Sequence, residues 1–160
     1  GGVMEAALRS VSEILTGEEL EKIEFKEIRG EQGIKRASLK LGERDIKVVV
    51  AHGLGNAQTI MEEIKSGKAD YQFVEIMACP GGCIMGGGQP IKNSKIRGTI
   101  DVRRKRAEAM YSIDEKSKIR KSHENPILKQ IYSEYIGVPG GHKAHELLHT
   151  TYSRKEKYNI

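Results

Sequence analysis

Residues 73–90 read FVEIMACPGGCIMGGGQP, a short apolar stretch followed at once by a glycine-rich loop. The apolar stretch Phe73–Met77 predicts a buried strand, because it is too short for a helix and ends at turn residues. Residues 78–90, here named the cysteine loop, hold both cysteines of the chain, Cys79 and Cys83, and five of its 18 glycines. Ligands of α/β proteins gather at the carboxyl ends of strands, so we expect a functional site in this loop.

The sequence around this strand predicts an α/β fold. Apolar residues at helical spacing predict helices over about 3–16 and 56–66, each followed by a glycine. Residues 23–28 alternate as a strand does, and residues 37–51 predict a hairpin whose second strand is buried on both faces. After Pro90, helices are predicted over about 102–113, 126–136 and 142–151, with Asn125 as the N-cap of the second. We therefore expect one α/β lobe, a mixed sheet flanked by helices, and then a helical C-terminal belt.

Composition and charge narrow the possible partners. The chain has 160 residues, and its longest uninterrupted apolar run is VVVA at 48–51, which predicts no membrane span. The formal net charge is +5, with a basic cluster at residues 103–106. Such a cluster is typical of a solvated helix face, and a docking surface for an acidic protein is the alternative. Nucleic acid is not expected as a partner, because the aromatic residues are not interleaved with the basic ones.

Three chemistries could use two cysteines separated by three residues. A redox dithiol usually has two intervening residues, and a structural zinc site needs four nitrogen or sulfur ligands. An iron–sulfur cluster also takes cysteine thiolates, and it explains the glycines best, because they let backbone N–H groups approach an anionic cluster closely. From the spacing alone, an ordinary pair of thiols beside a tight turn remains open.

The wider sequence closely resembles one protein family. Residues 73–83 followed by GGGQP at 86–90 resemble the third cluster-binding signature of the iron-only (di-iron) hydrogenases. The start GVMEAA at 2–7 is similar to the helix that precedes this signature in the family, while RKSHENP at 120–126 and HKAHELLHT at 142–150 resemble its small-subunit region. The resemblance extends from Gly1 to about Arg154 and implies two parts: residues 1–98 from the C-terminal part of the large-subunit domain, and residues 99–160 from the small-subunit region.

The resemblance also implies roles for single residues. In the family, four cysteines hold a 4Fe–4S cluster, and one of them bridges to a di-iron subcluster with CO, cyanide and dithiolate ligands. Cys79 matches the third cysteine, and Cys83 matches the bridging fourth one, which makes Cys83 a catalytic residue as well as a metal ligand. Met77 matches a side chain beside the di-iron subcluster, although a core methionine that closes the strand is an equally good interpretation. The glycines expected to contact the cofactor are Gly81, Gly82, Gly86 and Gly87.

The chain departs from the family pattern at its start. The signatures that supply the first two cluster cysteines are absent, and the sequence begins Gly1-Gly2-Val3 without a methionine. We therefore expect the later part of a longer protein, inactive alone, with the N-terminal half of the hydrogenase catalytic domain as its partner. Ferredoxin or another electron carrier would deliver electrons. A cytoplasmic location is expected, because periplasmic relatives carry the small-subunit region as a separate chain.

Two other functions are alternatives to hydrogenase activity. HELLH at 145–149 fits the H-E-x-x-H pattern of zinc peptidases, but only eleven residues follow His149, too few to return a distant ligand on another helix. A structural role for this helix is favoured.

Non-catalytic iron–sulfur proteins of the cluster-assembly and nuclear type share the hydrogenase architecture. Gly82 and the complete GGGQP run favour a hydrogenase over these relatives.

Overall fold

The computed structural model describes residues 2–20, 24–30, 32–154 and 156. Helix α1 spans Val3–Thr16 and ends as predicted at Gly17, which adopts a left-handed φ of 69°. The strand predicted over residues 23–28 is wrong for the described residues, because Lys26–Ile28 form a 3-10 turn. Phe25 and Ile28 are both buried there, and a spacing of three residues places them on one side of such a turn. Ile23 lies outside the described residues.

The sheet has three strands in the order β1-β2-β3 and is mixed. Strand β1 (Ile34–Leu41) pairs antiparallel with β2 (Arg44–His52) through a two-residue turn, which confirms the predicted hairpin. Helix α2 (Leu54–Lys65) then connects β2 to the parallel strand β3 (Phe73–Met77). A parallel pair needs a crossover of this kind, because a tight turn cannot join parallel strands.

The hydrophobic core lies on both faces of β2. Val48 and Val50 pack on one face with Met4 and Leu8 of α1, and all four side chains are at most 1% exposed. On the opposite face, Val49 and Ala51 pack with Ile60 of α2. A strand covered by helices on both sides confirms the predicted α/β class.

Two helices follow the cysteine loop within the first compact unit of the chain, which ends at Lys121. Helix α3 (Ser94–Thr99) was not predicted; Asn93 caps it by accepting a hydrogen bond from the Ile96 N–H. Helix α4 (Val102–Lys116) is longer than predicted, and Asp101 caps it in the same way.

The second compact unit begins at Ser122 and is helical in its described part. Helix α5 (Pro126–Ile131) starts at the predicted residue, capped by the Asn125 side chain, and continues as a π-helical turn over Tyr132–Ile136. Helix α6 (His142–Leu148) also starts as predicted but ends earlier, at Leu148. Within the described ranges, no helix of either unit has the length and apolar character needed to cross a membrane.

Candidate functional site

The site lies where one face of the sheet changes from apolar to polar. The register places Lys35 opposite Val50 and Val50 opposite Glu75, and it places His52 opposite Met77. Cross-strand partners and residues two apart along a strand share a face. These side chains therefore lie on the face of the sheet that packs against α1, next to its apolar residues. The change occurs at the carboxyl ends of β2 and β3, where the cysteine loop begins.

The backbone of the cysteine loop forms a series of tight turns. The Gly82 N–H donates to the Cys79 carbonyl at 2.9 Å, and the Gly86 N–H donates to the Cys83 carbonyl at 3.0 Å. Gly81 and Gly82 have φ angles of 84° and 82°, a conformation that side chains with a Cβ rarely adopt. One of these turns therefore begins at each cysteine.

Glycine at position 86 allows a close approach within the loop. A Cβ added there would lie 3.2 Å from the Cys83 carbonyl oxygen and 3.5 Å from the Cys79 sulfur. A Cβ added at Gly87 would meet nothing within 4 Å, so the loop itself does not require glycine at that position. Close packing around the thiols therefore explains Gly86, while Gly87 remains a prediction of the resemblance.

The two cysteines have different surroundings, and both are free thiols. Cys79 is half-buried, whereas Cys83 is exposed and lines a cavity of about 380 Å³ together with Met77, Gly81 and Gly82. Met77 also packs against the core, and its sulfur lies 3.3 Å from the position of a Cβ at Gly82. The Met77 side chain therefore packs against the core and also lines the cavity, while a place beside a di-iron subcluster stays a prediction.

Two side chains from outside the loop hold its backbone in place. The His52 Nδ1 accepts a hydrogen bond from the Gly81 N–H at 2.9 Å. Arg106 of α4 donates to the Ile84 carbonyl at 2.9 Å and to the Pro90 carbonyl at 2.6 Å. One member of the basic cluster at 103–106 is therefore a clamp on the loop, and not only part of a solvated face.

The cavity beside Cys83 contains charged groups. Lys35 is 9% exposed, and burial lowers the pKa of its ammonium group, an effect that Glu75 opposes and Arg103 reinforces. The Glu75 carboxylate accepts a hydrogen bond from the Met4 N–H at 3.2 Å, at the N-terminus of α1, where the helix dipole favours negative charge. Glu75 therefore orients α1 against the cavity wall.

A second cavity of about 330 Å³ also has Cys83 in its lining. A largely buried ion-pair network lines the same cavity, in which Arg9 of α1 donates to Asp114 of α4 at 2.7 Å and to Glu5 at 3.1 Å. The hydrogen bond from Arg9, and a second one from Arg120 at 2.7 Å, hold the pKa of Asp114 well below its ordinary value, with that from Arg9 contributing most. The network fixes α4 to α1 beside the thiol.

The residues present fit half of an iron–sulfur site. Two thiolates suit iron, which soft sulfur ligands bind well, and Gly81 and Gly82, at positive φ, allow the tight turn that joins the two cysteines. A complete 4Fe–4S cluster needs four thiolates, and the chain has two cysteines. The other two ligands of such a cluster would have to come from another segment.

The HELLH sequence of α6 brings two imidazoles together. The Nδ1 atoms of His145 and His149 are 3.1 Å apart, and both rings are exposed. Within the part of the chain that the structure describes, no third histidine, cysteine or carboxylate ligand atom joins them within 4.8 Å. Two nitrogens fall short of the three protein ligands of a catalytic zinc site.

Sequence reasoning missed His52, Lys35 and Arg106 as residues of the site. His52 carries a usable signal, since a polar residue directly after the apolar run VVVA is unexpected in a core, whereas Lys35 lies before the predicted hairpin of residues 37–51 and carries none. Nothing in the sequence separates Arg106 from its basic neighbours. Its role depends on how α4 lies against the loop.

The chain is similar to proteins of one known family. Residues 1–87 match the family model of the iron only hydrogenase large subunit, C-terminal domain, and residues 100–155 match that of the iron hydrogenase small subunit. The chain is 42% identical over 157 residues to the NADP-reducing hydrogenase subunit HndD of Solidesulfovibrio fructosivorans, covering 98% of this chain and 26% of that protein. It is 44% identical over 154 residues to iron hydrogenase 1 of Clostridium pasteurianum, covering 96% of this chain and 27% of that protein.

Another relative is not named a hydrogenase. Protein NAR1 of Arabidopsis thaliana is 34% identical over 154 residues, covering 95% of this chain and 32% of that protein. A solved structure of FeFe-hydrogenase HydA1 from Chlamydomonas reinhardtii is similar with a TM-score of 0.72 at 40% identity, covering 94% of this chain and 44% of that one. The chain thus spans about a quarter to a third of the length of these curated relatives.

Proposed function

We propose that this chain forms one side of the iron–sulfur active site of a hydrogenase. It belongs to the family of the iron only hydrogenase large subunit, C-terminal domain. The position of the two thiols carries the proposal. Cys83 opens into a cavity at the carboxyl ends of β2 and β3, and Cys79 lies against a glycine of the same loop. A pair of thiols in this position can bind iron from one side of the cavity.

Cys79 and Cys83 would hold two irons of a 4Fe–4S cluster, and Cys83 would also join this cluster to a di-iron subcluster with CO, cyanide and dithiolate ligands. When bound, this group supplies the reversible chemistry that combines two protons and two electrons into dihydrogen. Lys35 and Arg103 place positive charge on the cavity wall, which stabilises an anionic metal–thiolate group. Met77 and Ile84 add apolar surface that limits the access of water.

The chain would act as part of a larger protein. Two thiolates are half of the number that a 4Fe–4S cluster requires, so the N-terminal half of the catalytic domain would supply the other two. Ferredoxin or another electron carrier would deliver the electrons, and positive surface charge favours an acidic carrier. A cytoplasmic protein is supported by the match to the small-subunit model on the same chain.

A second function is favoured by one specific observation. The 34% identity to Protein NAR1 extends over 95% of this chain, so the same fold also occurs in a relative that is not named a hydrogenase. A relative from Drosophila virilis that is named a probable cytosolic Fe-S cluster assembly factor is likewise 33% identical over 163 residues, covering 99% of this chain and 33% of that protein. The alternative is therefore an iron–sulfur protein of the cluster-assembly type that binds a cluster and makes no hydrogen. The two functions differ in whether a di-iron subcluster is present.

The test compares the chain alone with the chain joined to its N-terminal half. Each would be produced anaerobically with the hydrogenase maturation proteins and assayed for iron content and for hydrogen evolution from reduced methyl viologen. We expect hydrogen only from the joined protein. Hydrogen evolution by the chain alone would contradict the argument that the chain supplies only two of the four thiolates. A joined protein that holds about four irons and makes no hydrogen would favour the cluster-assembly alternative.

A further inference from the structure

His52 occupies an unusual position for a polar side chain. It follows four residues that are all 0% exposed, Val48 to Ala51, and is itself only 8% exposed. It is the last residue of β2, paired with Met77 at the end of β3, and its ring lines the cavity beside Cys83. A buried polar group at the end of a core strand requires hydrogen-bond partners.

One of these partners is the cysteine loop. The Gly81 N–H lies 2.9 Å from the His52 Nδ1, and a backbone N–H can only donate, so Nδ1 must act as the acceptor. The proton of the neutral ring then sits on Nε2, because the tautomer is set by the bond that the other nitrogen makes. Nε2 has no hydrogen-bond partner among the residues that the structure describes.

The hydrogen bond to Gly81 lies just before Cys83 in the loop and can therefore affect the direction of the Cys83 side chain. Gly81 and Gly82 both have positive φ angles, and Cys83 follows them directly. Glycine pairs are the most flexible part of such a loop, so the direction of the Cys83 side chain depends on what fixes them. The turn bonds within the loop involve other N–H groups, and the Gly81 N–H donates to His52.

We infer that His52 is a positioning residue with two functions, an inference that rests on the proposed iron–sulfur function. Its Nδ1 holds Gly81 so that the Cys83 thiolate faces the cavity. Its Nε2–H presents a neutral donor to an acceptor atom of the metal group bound there. Lys35 and Arg103 supply charge from other parts of the wall, whereas His52 supplies a directed hydrogen bond.

Three substitutions separate the two functions. In His52→Asn the side-chain oxygen can take the place of Nδ1 and accept from Gly81, but no group replaces Nε2–H. In His52→Gln a donor can reach the place of Nε2, but the acceptor for Gly81 is lost. His52→Ala loses both groups. His142→Ala is the matched control, because His142 is an exposed histidine that is not part of the cavity lining.

The experiment uses the protein joined to its N-terminal half and matured anaerobically. Iron content measures retention of the metal group, and the infrared stretching bands of its CO and cyanide ligands report hydrogen bonds to them. We expect His52→Ala and His52→Gln to lose at least half of the iron, and His52→Asn to keep nearly all of it with shifted infrared bands. The control should match wild type in both measurements.

Each outcome decides a separate point. Full iron content in both His52→Ala and His52→Gln would overturn the role of Nδ1, and unshifted bands in His52→Asn would overturn the donor role of Nε2. A wild-type protein that binds no iron would instead overturn the proposed function itself, and the inference with it. His52→Asn preserves the loop anchor, so a folding defect confined to His52→Ala leaves the donor role open to measurement.

Discussion

Substitution of Arg9 by methionine tests whether the buried ion-pair network holds the cavity wall. The Arg9 side chain is 5% exposed. It makes four charge-assisted hydrogen bonds, two to the Asp114 carboxylate at 2.7 and 3.0 Å, one to the Arg120 carbonyl at 2.9 Å and one to Glu5 at 3.1 Å. Methionine restores much of the apolar contact of the arginine stem and removes all four bonds.

The expected loss follows from what remains after the substitution. Removing one partner of a buried ion pair costs about 3–5 kcal/mol, because the other charge stays buried and unpaired. Here Glu5 keeps its ion pair with Arg29, and Asp114, 30% exposed, keeps a 2.7 Å bond from Arg120. We therefore expect Arg9→Met to lower the free energy of unfolding by about 3 kcal/mol, the lower end of that range.

Urea unfolding followed by circular dichroism measures this loss. Lys47→Met is the matched control, since it breaks an ion pair with Asp70 in which both side chains are more than half exposed, and exposed pairs contribute little. The double variant Arg9→Met/Asp114→Leu should lose less than the sum of the two single variants, because it removes both charges. A loss for Arg9→Met no larger than for Lys47→Met would refute the role of the network.

Three further predictions concern the thiol, the pH dependence and the histidine pair. In the protein joined to its N-terminal half, Cys83→Ser should lower hydrogen evolution more than about 100-fold, beyond the usual effect of removing a neighbour of a metal ligand. Gly82→Ala is the comparison and should keep more iron, since it leaves both thiols in place and strains the loop at a φ of 82°, with its Cβ 3.3 Å from the Met77 sulfur. The pKa of Asp114 lies well below its ordinary value of 3.8, so its ion pairs stabilise the fold above about pH 4 and are lost as the pH falls further. Asp114→Asn should therefore flatten the decline of unfolding free energy below about pH 4, and an unchanged decline would contradict this assignment. His145→Ala with His149→Ala should leave metal content unchanged and alter the unfolding free energy by no more than about 0.5 kcal/mol, because both rings are exposed. Stoichiometric zinc that disappears in this double variant would support the peptidase hypothesis instead.

The family and the main elements could be predicted from the sequence. The cysteine loop carries a long and specific motif, and the family models confirm the resemblance. Helix α1, the hairpin and β3 were predicted from patterns of apolar residues and from glycines at their ends, since these features depend on local geometry alone. The wrong strand at residues 23–28 shows the limit of such patterns, because a short run such as IEFKEI fits both an alternating strand and a turn that buries every third residue.

The groups that surround the thiols could not be predicted from the sequence, because their positions depend on tertiary structure. Register between three strands places Lys35, Glu75, His52 and Met77 on one face, although they lie up to 42 positions apart in the sequence. No local pattern contains such distant pairings. Which atoms can bind metal follows directly from the sequence, because that property belongs to the cysteine side chain. The fold alone decided which groups surround the metal ligands, because burial and hydrogen bonding arise only when separate segments pack together.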